Sequence, residues 1–139
     1  MFRQALTLIL FTLATPALAD SFTVSCTSNA PGPWADSMFC NEAKLLTFTP
    51  PSTRSEMVLR ITAPRTHCSE ISYILHRFGS SDPVAIVERV KPGERKTVSL
   101  GSGWPVTVNS VTLTAVGHIG GCNTGTLVSW GAETRFIPL

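Results

Sequence analysis

EMVLRIT, from Glu56 to Thr62, and EISYILHRF, from Glu70 to Phe78, decide the fold class of this chain. In the first stretch, three apolar side chains alternate with residues of the opposite face, which include Arg60 and Thr62. Alternation with a period of two is typical of a strand with one buried face. The second stretch is apolar on both faces, which predicts a strand inside a sheet or covered on its second face. The chain is therefore expected to be all-β.

Similar short segments, separated by turn residues, continue along the rest of the chain, and no long segment has helical periodicity. Such spacing predicts an antiparallel sandwich of about seven or eight strands. In the longest segment the apolar face changes near Asn109 and Ser110, which predicts a β-bulge. Residues 29–33 are predicted to form a loop, and residues 34–40 a helical turn or an irregular flap. Further strands are predicted at residues 21–26, 43–49, 84–90, 96–100, 106–116 and 126–136.

The stretch VKPGERKTVSL, from Val90 to Leu100, places proline and glycine at the second and third positions of a turn. That order is type II turn chemistry. The stretch resembles the proline-glycine hairpin common in bacterial immunoglobulin-like domains. The resemblance and the strand count together imply an immunoglobulin-like or fibronectin-III-like sandwich. The antibody type is not expected, because the chain has no matching Cys…Trp…Cys spacing.

The N-terminal residues have the three-part pattern of a secretory signal peptide. Arg3 supplies the positive charge, an apolar run extends from Ala5 to Leu13, and Ala17-Leu18-Ala19 provides small residues for cleavage. We therefore expect residues 1–19 to be removed and residues 20–139 to form one domain, exported to the periplasm or secreted. The apolar run is shorter than the roughly 20 residues of a membrane span, and no membrane span is expected in the mature chain.

The charges of the chain are few and scattered. The chain has eleven Lys and Arg residues and nine Asp and Glu residues, which gives a formal net charge of +2. No block of like charge indicates nucleic acid or anionic lipid as a partner.

Four cysteines, all beyond the predicted signal peptide, allow three disulfide pairings. In an immunoglobulin-like order, the loops that carry Cys68 and Cys122 lie at the same end of the sandwich. This topology favours Cys68–Cys122, and Cys26–Cys40 then holds the flap. Pairings of Cys26 with Cys68 or Cys122 stay open.

Two groups of side chains are candidates for binding. The favoured topology gathers polar residues at the end bridged by Cys68 and Cys122, where loops on a rigid sandwich often bind ligands. The flap adds aromatic side chains of the kind enriched at interface hot spots. Solvated loop tips and buried core residues are the respective structural alternatives. The candidates are Arg65, His67, His118 and Asn123 at the bridged end, and Trp34 and Phe39 in the flap.

Metal binding and catalysis have weaker sequence support. His67 and His118, with Cys68 and Cys122, have the ligand types of a zinc site, but their spacing matches no standard signature. An oxidising compartment also favours disulfides over thiolates. No Gly-x-Ser-x-Gly or His-Glu-x-x-His motif is present. No catalytic residue, metal ligand or cofactor is assigned, and whether the chain is an enzyme stays open.

The sequence as a whole favours an exported, non-enzymatic binding module, such as an inhibitor or a recognition protein. Its partner is expected to be another macromolecule of the cell envelope or the extracellular space. Three alternatives stay open: a small secreted hydrolase or effector whose site is not evident from sequence, a metal-binding envelope protein, and a structural or assembly subunit. The oligomeric state is not predicted.

Overall fold

Residues 19–139 are described by a computed structural model of the chain. The predicted signal peptide therefore lies, up to residue 18, outside the described residues. The described part contains ten strands and no helix, and so no helix that is long and apolar enough to cross a membrane. The strands are β1 (Asp20–Ser25), β2 (Asn29–Pro31), β3 (Ser37–Cys40), β4 (Lys44–Phe48), β5 (Met57–Thr62), β6 (Ile71–Arg77), β7 (Pro83–Val90), β8 (Arg95–Gly101), β9 (Asn109–His118) and β10 (Ser129–Pro138).

The ten strands form two antiparallel sheets. The first sheet has the order β1-β10-β5-β8, and the second has the order β2-β3-β9-β6-β7, with β4 also paired to β9. Phe39 of β3 lies opposite Val116, whereas Lys44 of β4 lies opposite Leu113. The strands β3 and β4 therefore follow one another along the same edge of β9.

The strand order is that of a jelly roll. If β3 and β4 count as one interrupted strand and the short β2 is left aside, eight strands are distributed over the two sheets as two Greek keys. The last strand, β10, lies between β1 and β5, in the sheet opposite to β9. In an immunoglobulin domain the last two strands are neighbours in one sheet. The predicted antiparallel sandwich is confirmed, but the immunoglobulin-like or fibronectin-III-like order is not.

The core lies between the sheets and follows the predicted alternation. Trp130 of β10 is fully buried, with Phe22 and Tyr73 at ring-centroid distances of 5.6 and 6.1 Å. The hydroxyl of Tyr73 donates to the carbonyl oxygen of Gly131 at 2.8 Å, so the polar end of this buried ring is satisfied. The predicted inward-facing residues of the two central strands are all buried: Met57, Leu59, Ile61, Ile71, Tyr73 and Leu75.

Three local predictions are corrected. Residues 29–33 contain the short strand β2, and residues 34–40 end in β3, where a loop and a flap alone were expected. The β-bulge predicted near Asn109 is wrong, because β9 begins at that residue and pairs regularly with β4 and β6. Val106 and Val108 precede β9 and are exposed, so the change of face marks the beginning of the strand.

The proline-glycine turn between β7 and β8 is confirmed. The amide of Glu94 donates to the carbonyl oxygen of Lys91 at 2.9 Å, and Gly93 has a φ of 76°. A positive φ at the third position of this turn favours glycine, which has no Cβ to clash.

Both favoured disulfides are confirmed, and the alternative pairings are excluded. Cys26 and Cys40 are joined with a Cα–Cα distance of 5.6 Å, and Cys68 and Cys122 with one of 5.5 Å. The loops that carry Cys68 and Cys122, β5–β6 and β9–β10, meet at one end of the sandwich. Jelly-roll and immunoglobulin orders share this feature, so the pairing holds although the predicted strand order does not.

Candidate functional site

The predicted binding residues of the bridged end surround Cys68–Cys122 but face different sides of it. His118 is 2% exposed and Asn123 is 8% exposed. Asn123 Nδ2 donates to the carbonyl oxygen of His118 at 3.0 Å, which orders the glycine-rich loop after β9. Arg65 is exposed and lies over Gly93, on the side of the first sheet. These residues do not converge on one pocket.

His67 is bound to the backbone of the last strand. The amide of Gly131 donates to His67 Nε2 at 3.1 Å, so this nitrogen is unprotonated in the folded chain. Burial of the half-buried ring lowers the pKa of His67. The contacts of His67 support a structural role.

Because residues 37–40 of the predicted flap form β3, the name flap is used from here on for residues 32–36, between β2 and β3. The flap crosses the outer side of the second sheet. Trp34 packs on His118, with ring centroids 5.2 Å apart. A Cβ on Gly32 would lie 2.9 Å from Val116 Cγ1, so glycine permits the close approach. The amide of Ile119 donates to the carbonyl oxygen of Asp36 at 2.7 Å. Phe39, which follows the flap, is half-buried on the same outer side.

A polar network fastens the flap to the sheet. Ser72 Oγ and His118 Nε2 are 2.7 Å apart, and His118 Nδ1 lies 3.4 Å from Asp36 Oδ1. The guanidinium of Arg89 lies 3.1 Å from Asp36 and 3.3 Å from Glu70. The network therefore joins the flap, β6, β7 and β9.

The backbone of β7 is bent at Arg89, one of the residues of this network. The register of β6 and β7 shifts between Ile71 and Tyr73, and Arg89 has a φ of 49°, which is uncommon for a residue other than glycine. The bend lets the Arg89 amide donate to Ser72 Oγ at 2.9 Å. Strained residues often lie at sites where geometry is important.

The charges of the network support one another. Desolvation opposes ionisation of Asp36, yet its hydrogen bonds with His118 and Arg89 and the charge of Arg89 hold its pKa below the usual value. The hydrogen bonds with Glu70 and Asp36 raise the pKa of Arg89, against partial desolvation. The ionised pair is thus the favoured state of the flap contact.

The order Ser72, His118, Asp36 has the spacing of a serine nucleophile, a base and an orienting acid. A nucleophile must reach its substrate, but Ser72 is 0% exposed, and its Oγ already accepts the amide hydrogen of Arg89. The shallow depression beside His118 is lined by Arg89, Glu70 and the glycine-rich loop, and Ser72 does not line it. This geometry supports anchoring of the flap and gives no route for acyl transfer.

The outer side of the first sheet carries arginines on three neighbouring strands. Arg60 of β5 lies directly opposite Arg135 of β10. Arg95 of β8 lies opposite Thr62, and its Nε donates to Thr62 Oγ1 at 3.3 Å. Arg65 lies in the turn after β5, against Gly93. These four arginines define the arginine face: Arg60, Arg65, Arg95 and Arg135.

The arginines of this face form no ion pair within the described residues, although Glu133 lies on the same side of the sheet. Among residues 19–139, the ion pairs within 4.0 Å involve Arg89, Lys96 and His118 but no arginine of this face. Like charges directly opposite one another in a sheet are destabilising. Arg135 Nε is also buried without a hydrogen-bond partner in the described structure, and a buried unsatisfied donor has an energetic cost.

Two shallow depressions join across the arginine face. One is lined by Arg65, Arg95 and residues of β1, and the other by Arg60, Arg95 and Arg135. Thr62, Arg95 and Glu133 line both, so the two depressions adjoin, and together they are called the groove.

Of the arginine face, the sequence alone predicts only Arg65 as a binding residue. The alternation places Arg60 on the outer side of its strand, and it places Arg135 opposite in parity to the inward Phe136. These outward positions are the sequence signal that could have identified both arginines as surface residues of the first sheet. Their proximity depends on pairing between β5 and β10, which are far apart in sequence.

A metal site built on Cys68 and Cys122 is not formed, because their sulfurs are bonded to each other. In the described residues, one cluster has the spacing of metal ligands: Cys26, Cys40 and Glu42. Its two sulfurs form the other disulfide, so they offer no thiolates.

No protein-family model, curated protein or solved structure matches this chain.

Proposed function

We propose that this protein is an exported, non-enzymatic binding module that holds an acidic ligand on its arginine face. The ligand belongs to a macromolecule of the cell envelope or the extracellular space. The observation that carries the proposal is the pairing of Arg60 with Arg135 across two strands, with no carboxylate within ion-pair distance in the described chain.

An acidic ligand would relieve the cost of this arrangement. A guanidinium presents its donors in a planar fork that fits carboxylate, phosphate or sulfate groups, and Arg135 has an unused buried donor. Residues that break a local rule of stability are often functional. The bound anion would separate the two like charges and accept hydrogen bonds from the accessible nitrogens of the two guanidinium groups.

The scaffold suits such a role. The strands β5, β8 and β10 hold the arginines on a rigid sheet, and two disulfides fit an oxidising compartment. The proposal retains Arg65 from the predicted binding group. Binding by Trp34 and Phe39 stays a prediction, as does binding by His67, His118 and Asn123, whose present contacts are within the fold.

Equilibrium binding of the purified, disulfide-bonded protein to immobilised polygalacturonate and to neutral amylose tests the proposal. We expect binding to the acidic polymer only, and a loss of about tenfold or more in Arg60→Gln/Arg135→Gln, because each guanidinium makes charge-assisted hydrogen bonds. Arg54→Gln/Lys91→Gln removes the same net charge from exposed loop positions and is the control. An equal loss in both double variants would show a net-charge effect and refute the site, and circular dichroism checks that each variant is folded.

A further inference from the structure

We infer that the ligand of the arginine face is a linear acidic polysaccharide that lies along β5, from the Arg60–Arg135 pair to Arg65. This inference rests on the proposed function and adds the chemical class and the direction of the ligand.

The direction follows from the order of the charges on the face. Arg60 lies on β5, and Arg65 lies beyond the end of that strand, in the turn where the amide of His67 donates to the carbonyl oxygen of Pro64. Arg95 lies between them, because it is opposite Thr62. One phosphate or carboxylate cannot contact all of these side chains, whereas a chain with regularly spaced anionic groups can.

The groove provides a path between the charges. Its two parts share Thr62, Arg95 and Glu133, so Arg135 and Arg65 line adjoining depressions. Gly93 keeps the far end open, because a Cβ there would lie 3.0 Å from Cγ of Arg65. The ligand can therefore remain extended along the whole row.

The groups beside the arginines favour a polysaccharide over other polyanions. Glu133 lines the groove beside the arginines and can accept hydrogen bonds from sugar hydroxyl groups. No aromatic residue occupies an outward position of β1, β5, β8 or β10 in the described chain, so the stacking surface typical of single-stranded nucleic acid sites is missing. Hydroxyl groups face the same side from Ser21, Thr23, Thr62 and Thr97.

Titration calorimetry with oligogalacturonates tests the inference, using the dimer, the tetramer and the octamer. We expect affinity to rise at least about tenfold from the dimer to the octamer, as contacts with Arg95 and Arg65 are added. Arg65→Gln is expected to weaken the octamer about tenfold and to leave the dimer unchanged, because the dimer occupies the Arg60–Arg135 end. Arg54→Gln is the matched control, expected to bind as the unchanged protein does.

The other possible outcomes would overturn the extended binding mode, the polysaccharide class or the anion site separately. Equal affinity for the dimer and the octamer, or an octamer insensitive to Arg65→Gln, would overturn the extended mode and leave the anion site standing. Tighter binding of single-stranded DNA or a poly-glutamate peptide of equal charge would overturn the polysaccharide class. Failure of every anionic probe to bind would overturn the proposed function itself.

Discussion

Burial decides what Ser72, His118 and Asp36 can do. The three side chains have the order of a hydrolytic triad, but the serine has no exposed surface and the tryptophan of the flap covers the histidine. At the scale of single residues, the same contacts that resemble catalysis satisfy buried polar groups, which is the more general requirement of a folded chain.

Ser72→Ala is expected to lower the free energy of unfolding by about 1–3 kcal/mol, because His118 Nε2 and the Arg89 amide lose a buried partner. Urea denaturation measures the change. The unchanged protein is expected to resist labelling by a fluorophosphonate probe, since Ser72 is inaccessible. Covalent labelling at Ser72 would contradict this account and favour the hydrolase alternative.

His67 is expected to make stability depend on pH. Its pKa is lowered from 6.5 in the folded chain, mainly by burial, so the unfolded chain binds more protons near and below that value. The contribution is full above pH 6.5 and is lost as the pH falls through the lowered pKa. His67→Gln removes this titration, and its stability is expected to fall less on acidification. Parallel stability curves for the two proteins would contradict the assignment.

At the scale of elements, the flap depends on a few contacts with the second sheet. Arg89→Gln removes both ion pairs of the network and should speed hydrogen exchange at the Ile119 amide, which donates to Asp36. Global stability should change little, because the side chains of Arg89 and Asp36 are 42% and 43% exposed. Lys91→Gln, an exposed position on the same connection, is the control. Unchanged exchange at Ile119 would show that Trp34 and the backbone hold the flap alone.

The two disulfides are expected to differ in their contribution to stability. Their sequence separations are 14 and 54 residues, which correspond to about 3 and 4 kcal/mol in the chain-entropy model. Denaturant unfolding of Cys26→Ala/Cys40→Ala and Cys68→Ala/Cys122→Ala measures both. A larger loss for the first pair would show that packing around the buried Cys40 outweighs loop closure.

The strands that the sequence predicted well are those with a strong local pattern. EMVLRIT alternates clearly and EISYILHRF is apolar on both faces, and their strands begin and end within one residue of the predicted bounds. The strand β2, with the residues Asn29 to Pro31, has no such pattern and forms because β3 offers it an edge. Local periodicity thus predicted the strands that have it, whereas strands without it, such as β2, form through contacts between distant segments.

At the scale of the whole molecule, the sequence patterns did not predict the strand order. Alternation predicts which side of β10 is buried. That prediction is the same whether β10 pairs with β9 or lies between β1 and β5, so it does not determine the strand order. The arginine face shares this limit, because Arg60 and Arg135 meet only through the pairing of β5 with β10. The disulfide pairing was predictable because Cys68 and Cys122 lie in loops at the same end under either order.

The two outer sides of the sandwich therefore differ in chemistry. One side carries the arginine face, and the other carries the flap with Trp34 and the half-buried Phe39. A binding module that uses the first side should leave the second unchanged when the ligand is bound.

The most direct test of the central claim is a two-dimensional ¹H–¹⁵N NMR titration of the protein with octagalacturonate. The account predicts shifts concentrated at the amides of β5, β8 and β10, including Arg60, Arg95 and Arg135. The amides of Trp34, Phe39 and Ile119 should keep their positions. Shifts centred on the flap, with the amides of the arginine face unmoved, would contradict it.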